Sequence, residues 1–541
     1  MAPHAAAIPY RRTRTRRLTA KPGARIRQCS TGDAILRAKP DGMDGTSIGA
    51  RRGAGYGALA GVGMVAGMYL LASAGLVEPL PQLLQRALLG AVPGPVFGFL
   101  IDRLQHLGKV IEEAGLVVAI VAGFAGLGAG YGLASARIGP VRSALAWALG
   151  GWLLLGLVVL PLSGAGLLGL AGGPSAAVGW ALLFFLYGAT LAAARAPCEL
   201  NVADAGRRRL LGVLPLVVGM AGLGFLAWRF WPAWYESVAA PPEAGLGYVT
   251  PEVTPPNRFF VVSQSFTDPV ISRQQWKLAV AGLVQSPQGF DYDHLLSMPQ
   301  LTEYVTIECV SNLVGGRLLS TAAFTGVPLR ALVAAAEPQA GARFVLFRAR
   351  DGYSEFLPLD EVMGRPDILV AHKLGGEPLT AKHGFPARVV VPGRYGMKGP
   401  KWLDEIRLAA SPAGGFWEAE GWDREAIVRT TARFDTPVTG AVFRLGGVEL
   451  AGVAFAGTRG ISGVEFTTNP GQNWSPGRIL PSLSPATWVR WRAAWVPPRP
   501  GSYSLQVRAR DGHGDLQIAA LVGSFPSGST GYHTVDVQVI A

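Results

Sequence analysis

Cysteine is nearly absent, with 3 in 541 residues. That excludes a disulfide-stapled scaffold and a cysteine-rich zinc or iron–sulfur site. Charge is also scarce: Asp, Glu, Lys and Arg make up 16% of the chain against 49% hydrophobic residues, and mean hydropathy is positive. This balance is too apolar for an ordinary soluble protein and points to membrane spans. Histidine is rare, and none of the seven falls in a long apolar run, which argues against a bis-histidine haem within a bilayer. None of those runs has a carboxylate in its middle, so no proton path through them is expected.

Five apolar runs are long enough to cross a bilayer, roughly 54–77, 114–134, 144–171, 177–194 and 210–231. They are rich in Gly and Ala, which lets helices approach closely. "AVPGPVFGFLI" (91–101) is apolar but short and holds two prolines, and reads as an interfacial or re-entrant piece. Net charge is +13, and residues 1–52 hold 12 Lys/Arg against 3 Asp. A basic tail can bind nucleic acid. Next to an apolar span, it reads instead as a cytoplasmic tail that fixes orientation. Arg51, Arg52, Arg137, Arg142, Arg195 and Arg207–Arg209 then share the cytoplasmic side, and everything after Trp231 is extracytoplasmic. Trp228, Trp231 and Trp234 suit an outer interfacial belt. The spans read as an anchor or docking surface in a multi-pass bacterial membrane protein, with transport as the alternative. "GRRRLLGVLPLVVGMAG" (206–222) also resembles a twin-arginine export signal, although the positive-inside rule accounts for the arginines unaided.

Composition changes after about 236. The expected organisation is a basic tail (1–52), a five-helix transmembrane region (53–235), a Pro-rich linker (236–258), a mixed α/β domain (259–415) and an all-β sandwich (416–541). Strands are expected at 276–284, 302–310, 342–349 and 387–393, a short helix within 326–338, and a hairpin at 466–474. In "TIECVSNLVGG" (306–316), alternation puts Val305, Ile307 and Cys309 on one strand face and Thr306 and Glu308 on the other. A lone thiol there is open to three readings: core packing, a nucleophile or a metal ligand.

Several separated motifs resemble the sulfite oxidase family of molybdopterin enzymes, in its membrane-anchored bacterial branch. They are "IECVSN" with the following "GG", "FTGVPLRALV", "DGYSEFLPL", "HGFPARVVVPGRYGMKGPKWLDEI" (383–406), "GVEFTTNPGQNW" and "VRARDGHGDLQ". The resemblance covers about 258 to 541 and leaves the membrane half uncovered. It implies an α/β molybdopterin-binding domain followed by an immunoglobulin-like β-sandwich, and possible homodimers. It implies a molybdenum–molybdopterin cofactor with Cys309 as the protein's thiolate ligand, a soft donor that helps set the metal's potential. Asn312 and Gly315–Gly316 would shape the loop around it. His383, Arg388, Lys398 and Lys401 fall on positions that bind the pterin and its phosphate. Tyr353 aligns with the active-site tyrosine. Arg394 is basic where the family is usually apolar, and would face substrate or phosphate. His294 and His372 match nothing and read as structural.

One departure concerns the substrate. Sulfite oxidases carry "FF-x-R-N-H" near the domain start, where this chain has "FFVVSQSF" (259–266). Val262 stands in the arginine place and Gln264 in the histidine place. Gln264 can still bond the pterin, but sulfite, a dianion, loses one fixed cation. The expected activity is two-electron, oxygen-atom-transfer chemistry on a small oxide or oxyanion. With no haem module recognisable, electrons would pass through a separate cytochrome or quinone-linked partner. A cofactor-free sensory or scaffold protein keeping the fold is the alternative.

Overall fold

The computed structural model describes residues 45–89, 92–199, 205–238 and 249–541. The basic tail through residue 44 lies outside them.

The first half is helical: α1 (Gly45–Ser73), α2 (Leu80–Leu89), α3 (Gly94–Ile138), α4 (Pro140–Leu154), α5 (Pro174–Glu199) and α6 (Ala205–Val238). Five stretches are long and apolar enough to cross a membrane: Gly49–Ser73, Leu107–Ser135, Pro140–Leu162, Pro174–Ala194 and Leu211–Trp231. Large apolar side chains face outward as well as inward. Val118 is 68% exposed and Phe185 65%, as expected where the surroundings are lipid. Trp228 and Trp231 are also exposed. The side chains of Arg207–Arg209 and Trp234 lie outside the described residues. Helices α1 and α3 touch backbone to backbone. A Cβ on Gly53 would overlap the Gly128 carbonyl oxygen and Gly132 Cα, so only glycine fits.

Three expectations change. Residues 94–101 are not a separate short piece but the start of α3, whose 45 residues span about 65 Å; they precede the stretch long and apolar enough to cross a membrane. Pro93 and Pro95 sit at its first turn, where a missing N–H costs little. Lys109, Glu112 and Glu113 therefore belong to a span helix rather than a loop, and Glu113 is buried. The run through 144–171 stops being a regular helix after Leu162 and turns into a 3-10 segment, Leu167–Gly172.

The second half is built on three sheets. In the first, strands run in the order 288–291, 277–282, 403–409, 344–349, 354–358, with 277–282 parallel to 403–409. The second orders 301–308, 319–328, 369–374, 377–378, and 388–390 also pairs with 369–374. Trp276, Phe347, Leu403 and the short helix Leu329–Ala335 fill a common core. The third sheet has eight strands from 431 to 540 and curls around Trp491, Leu450, Leu505 and Val537. Alternation explains its edges: in 533–540, Val535, Val537 and Val539 are buried between exposed neighbours. The 461–467/475–479 hairpin forms as its turn residues imply.

The end of the Pro-rich linker is an ordered strap. Thr250 N–H donates to Asp435 Oδ2 (2.9 Å), and Thr254 N–H to the Thr321 carbonyl (2.7 Å). Residues 239–248 lie outside the described residues.

Candidate active site

Cys309 follows directly on strand 301–308. Its N–H donates to the Leu318 carbonyl (2.9 Å) and its carbonyl accepts from Asn312 N–H (3.0 Å). Sγ lies 3.1 Å from Ser311 Oγ, and the residue as a whole is half-buried. Burial of the site pushes its pKa up, so metal binding would release its proton. The expected two-faced strand is buried on both faces at this end. Thr306 is covered by the 484–488 loop, whose Trp488 N–H donates to Thr306 Oγ1 (2.8 Å) and whose Ser484 Oγ donates to the Tyr304 carbonyl (2.7 Å); Glu308 is buried beside Asn312.

Asn312 builds the loop from within. Nδ2 donates to Glu308 Oε1 (2.8 Å) and Oδ1 accepts from Leu318 N–H (2.9 Å). Glu308 Oε2 is buried with no partner. Burial pushes Glu308 up to about 7, against the pull of Asn312 and Arg433. A Cβ on Gly396 would lie 3.1 Å from Ile307 Cγ2, so the "GRYGMKG" loop rests directly on the cysteine strand.

The structure gathers three of the expected cofactor residues, Arg388, Lys401 and His383, into one cluster of basic side chains. Arg388 is buried; its guanidinium donates to the Val389 (3.5 Å) and Gly399 (3.3 Å) carbonyls and lies over the Phe324 ring, and it forms no ion pair with a carboxylate among the described residues. Burial lowers it to about 10. Lys401 Nζ donates to Ser263 Oγ and to the Lys382 carbonyl (3.0 Å). Burial lowers it to about 7, with Asp268 opposing and Arg388 adding to the drop. His383 Nε2 is 3.1 Å from the Pro256 carbonyl, and burial, then Arg388, lowers it to about 4. Beside them, Gln264 Oε1 is buried and unpartnered. Buried basic groups that form no direct ion pair among the described residues, near an orphaned amide oxygen, suit an anionic, hydrogen-bonding ligand. A phosphate-ended pterin fits this donor set, and the Cys309 thiol fits its metal.

Two expected residues do not join this cluster. Lys398 is fully buried but ion-paired to Glu355 Oε1 (2.7 Å) and to Glu418. Arg394 pairs with Glu361 (2.9 Å) and donates to the Glu425 carbonyl. Its charge is matched there. Tyr353 is buried, its hydroxyl donating to the Met397 carbonyl (2.7 Å). Burial and the carboxylates of Glu355, Glu418 and Asp351 push it far up, and the Cys309 thiol lies within electrostatic range. Tyr395 is a second buried tyrosine in range of Cys309 and Glu308, with its oxygen accepting from Arg429 N–H (3.1 Å). Sequence reading passed over it, although it sits inside the "GRYGMKG" motif. His372 is structural as expected, with Nε2 2.9 Å from Gln300 Oε1.

A family model described as "Oxidoreductase molybdopterin binding domain" matches residues 265–417. The chain is 31% identical to the protein-methionine-sulfoxide reductase catalytic subunit MsrP of Ralstonia nicotianae, covering 39% of this chain and 71% of that one. It is 33% identical to the uncharacterized oxidoreductase YuiH of Bacillus subtilis (27% and 72%). It is 27% identical to sulfite oxidase of Arabidopsis thaliana (44% and 72%). The basic cluster, the orphaned amide oxygen and the Cys309 thiol lie in or beside the matched segment, and the chain belongs to the sulfite oxidase-type family of molybdopterin-dependent oxidoreductases.

Proposed function

We propose that this is a membrane-anchored reductase or oxidase of a small oxide. Its catalytic half is extracytoplasmic, and it exchanges electrons with a separate cytochrome or quinone-linked partner. Residues 259–415 form the cofactor domain and 416–541 an immunoglobulin-like unit. Cys309 supplies the thiolate to molybdenum. Arg388, Lys401 and His383 hold the pterin's phosphate end, and the Gln264 amide bonds the pterin. Asn312 positions the cysteine loop, and Tyr353 borders the site without offering a free hydroxyl. When bound, the molybdenum–pterin group supplies a two-electron couple suited to oxygen-atom transfer.

The observation that carries this reading is the Arg388–Lys401–His383 cluster, which forms no direct ion pair among the described residues, with the buried Gln264 oxygen next to Ser263, the partner of Lys401. Substrate class follows from Val262, 40% exposed where sulfite oxidases carry an arginine. An apolar side chain favours a neutral oxide over a dianion, and MsrP, named for its action on protein methionine sulfoxide, agrees. The test is a screen of sulfite, sulfoxides, N-oxides and nitrate with an artificial redox dye. Turnover of a sulfoxide or N-oxide above sulfite supports the reading, and sulfite as the preferred substrate contradicts it.

A further inference from the structure

The segment that carries Gln264 is gripped from two sides. From the catalytic side, Lys401 Nζ donates to Ser263 Oγ, and Ser265 Oγ donates to Asp351 Oδ2 (3.1 Å). From the helical half, Lys109 Nζ on α3 donates to the carbonyls of Ser263 (3.0 Å) and Ser265. Gln264 thus lies between two serines, each clamped through its side chain by one half of the molecule and through its backbone by the other. Arg229 on α6 continues the grip by donating to the Phe266 carbonyl (3.1 Å). Arg229 is itself held by Glu113 (3.2 Å), which also accepts from Tyr69 (2.7 Å). Farther along, Thr267 donates to Gln82 Oε1 through N–H (3.3 Å) and Oγ1 (2.7 Å).

An anchor needs no contact with the cofactor pocket, and a polar side chain is costly in an apolar helix unless it has work there. Lys109 is spent on two backbone carbonyls that flank the orphaned Gln264 oxygen. Its charge also reaches Lys401, where it adds to the lowering of that lysine's pKa.

We propose that the helical half forms one wall of the cofactor site. Lys109 is its positioning residue: it fixes residues 263–265 so that Gln264 and Lys401 meet the pterin, and it adds a cation to the phosphate cradle. The inference rests on the proposed cofactor reading. A residue that orients a ligating group outside the primary contacts is worth about 10–100-fold in affinity.

The full-length protein, purified in mild detergent, carries the test. Lys109→Met and Lys109→Gln are scored for molybdenum and pterin per chain and for the molybdenum EPR signal, on monodisperse fractions only. Both should retain about tenfold less pterin than wild type, with Lys109→Arg restoring most of it. Gln82→Leu breaks a junction contact outside the serine clamp and should retain pterin near the wild-type level. Equal retention in wild type and the Lys109 variants would overturn the inference alone. Equal losses in Gln82→Leu and Lys109→Met would also overturn it, by reducing Lys109 to a staple between halves. A wild-type chain that binds no pterin would overturn the cofactor reading itself.

Discussion

Lys398 and Lys401 are three residues apart and do opposite work. The 3-10 turn Gly396–Lys398 sends the first toward Glu355 and Glu418, while the second reaches Ser263. Removing one partner of a buried ion pair costs about 3–5 kcal/mol. Lys398→Met should therefore lower stability by about that amount in denaturant titrations of the full chain. The two stranded carboxyls would have raised pKa values, so the folded state would bind more protons than the unfolded one. The deficit should then shrink as pH falls. Arg394→Ala should leave the substrate preference unchanged in the dye assay, because Glu361 already holds that arginine. Lys401 makes a pH prediction. Its pKa is depressed to about 7, so between pH 7 and the usual lysine range the cofactor-free fold lacks a proton that the unfolded chain carries. An anion bound there raises the pKa again and takes up that proton. Pterin affinity should fall by up to about tenfold per pH unit above 7, and Lys401→Arg should flatten the profile. The sequence made the cations visible as a group but not which were already neutralised. Glu355 and Glu418 reach Lys398 from 43 and 20 residues away.

Element positions were readable where a run is uniformly apolar: all five spans were located, although the second starts seven residues earlier and the third ends nine residues sooner than expected. The run at 91–101 misled because proline breaks a helix interior but opens a first turn without penalty. Which helices pack together was not legible: the Gly53–Gly128 contact is set by a glycine spacing in each helix that only pairing reveals. Gly128→Leu would drive a side chain into the α1 backbone. It should cost roughly 1–3 kcal/mol or more, read as a lower melting temperature in detergent with the catalytic half's own transition unchanged. In the catalytic half, alternation located the strands but misjudged the face of Thr306 and Glu308. The 484–488 loop that covers Thr306 lies some 180 residues on, and Glu308 is held by Asn312 of the cysteine loop.

At the scale of the whole molecule, the helical bundle meets the catalytic half at one end. Lys109, Arg229 and Gln82 face residues 263–267, and Asp102 accepts from Ser524 Oγ and N–H. Arg51, Arg52, Arg137 and Arg142 belong to the opposite ends of α1, α3 and α4. A cysteine introduced at an exposed site of the catalytic half should react with a membrane-impermeant thiol reagent in intact cells, and one beside Arg137 should not. The proposed site joins the Cys309 thiol to the basic cluster through the cofactor. The most direct test is X-ray absorption at the molybdenum edge, with pterin content, for wild type and Cys309→Ser. The account predicts that the variant keeps pterin, has one fewer sulfur neighbour at molybdenum and loses turnover. An unchanged sulfur shell with unchanged activity would contradict it.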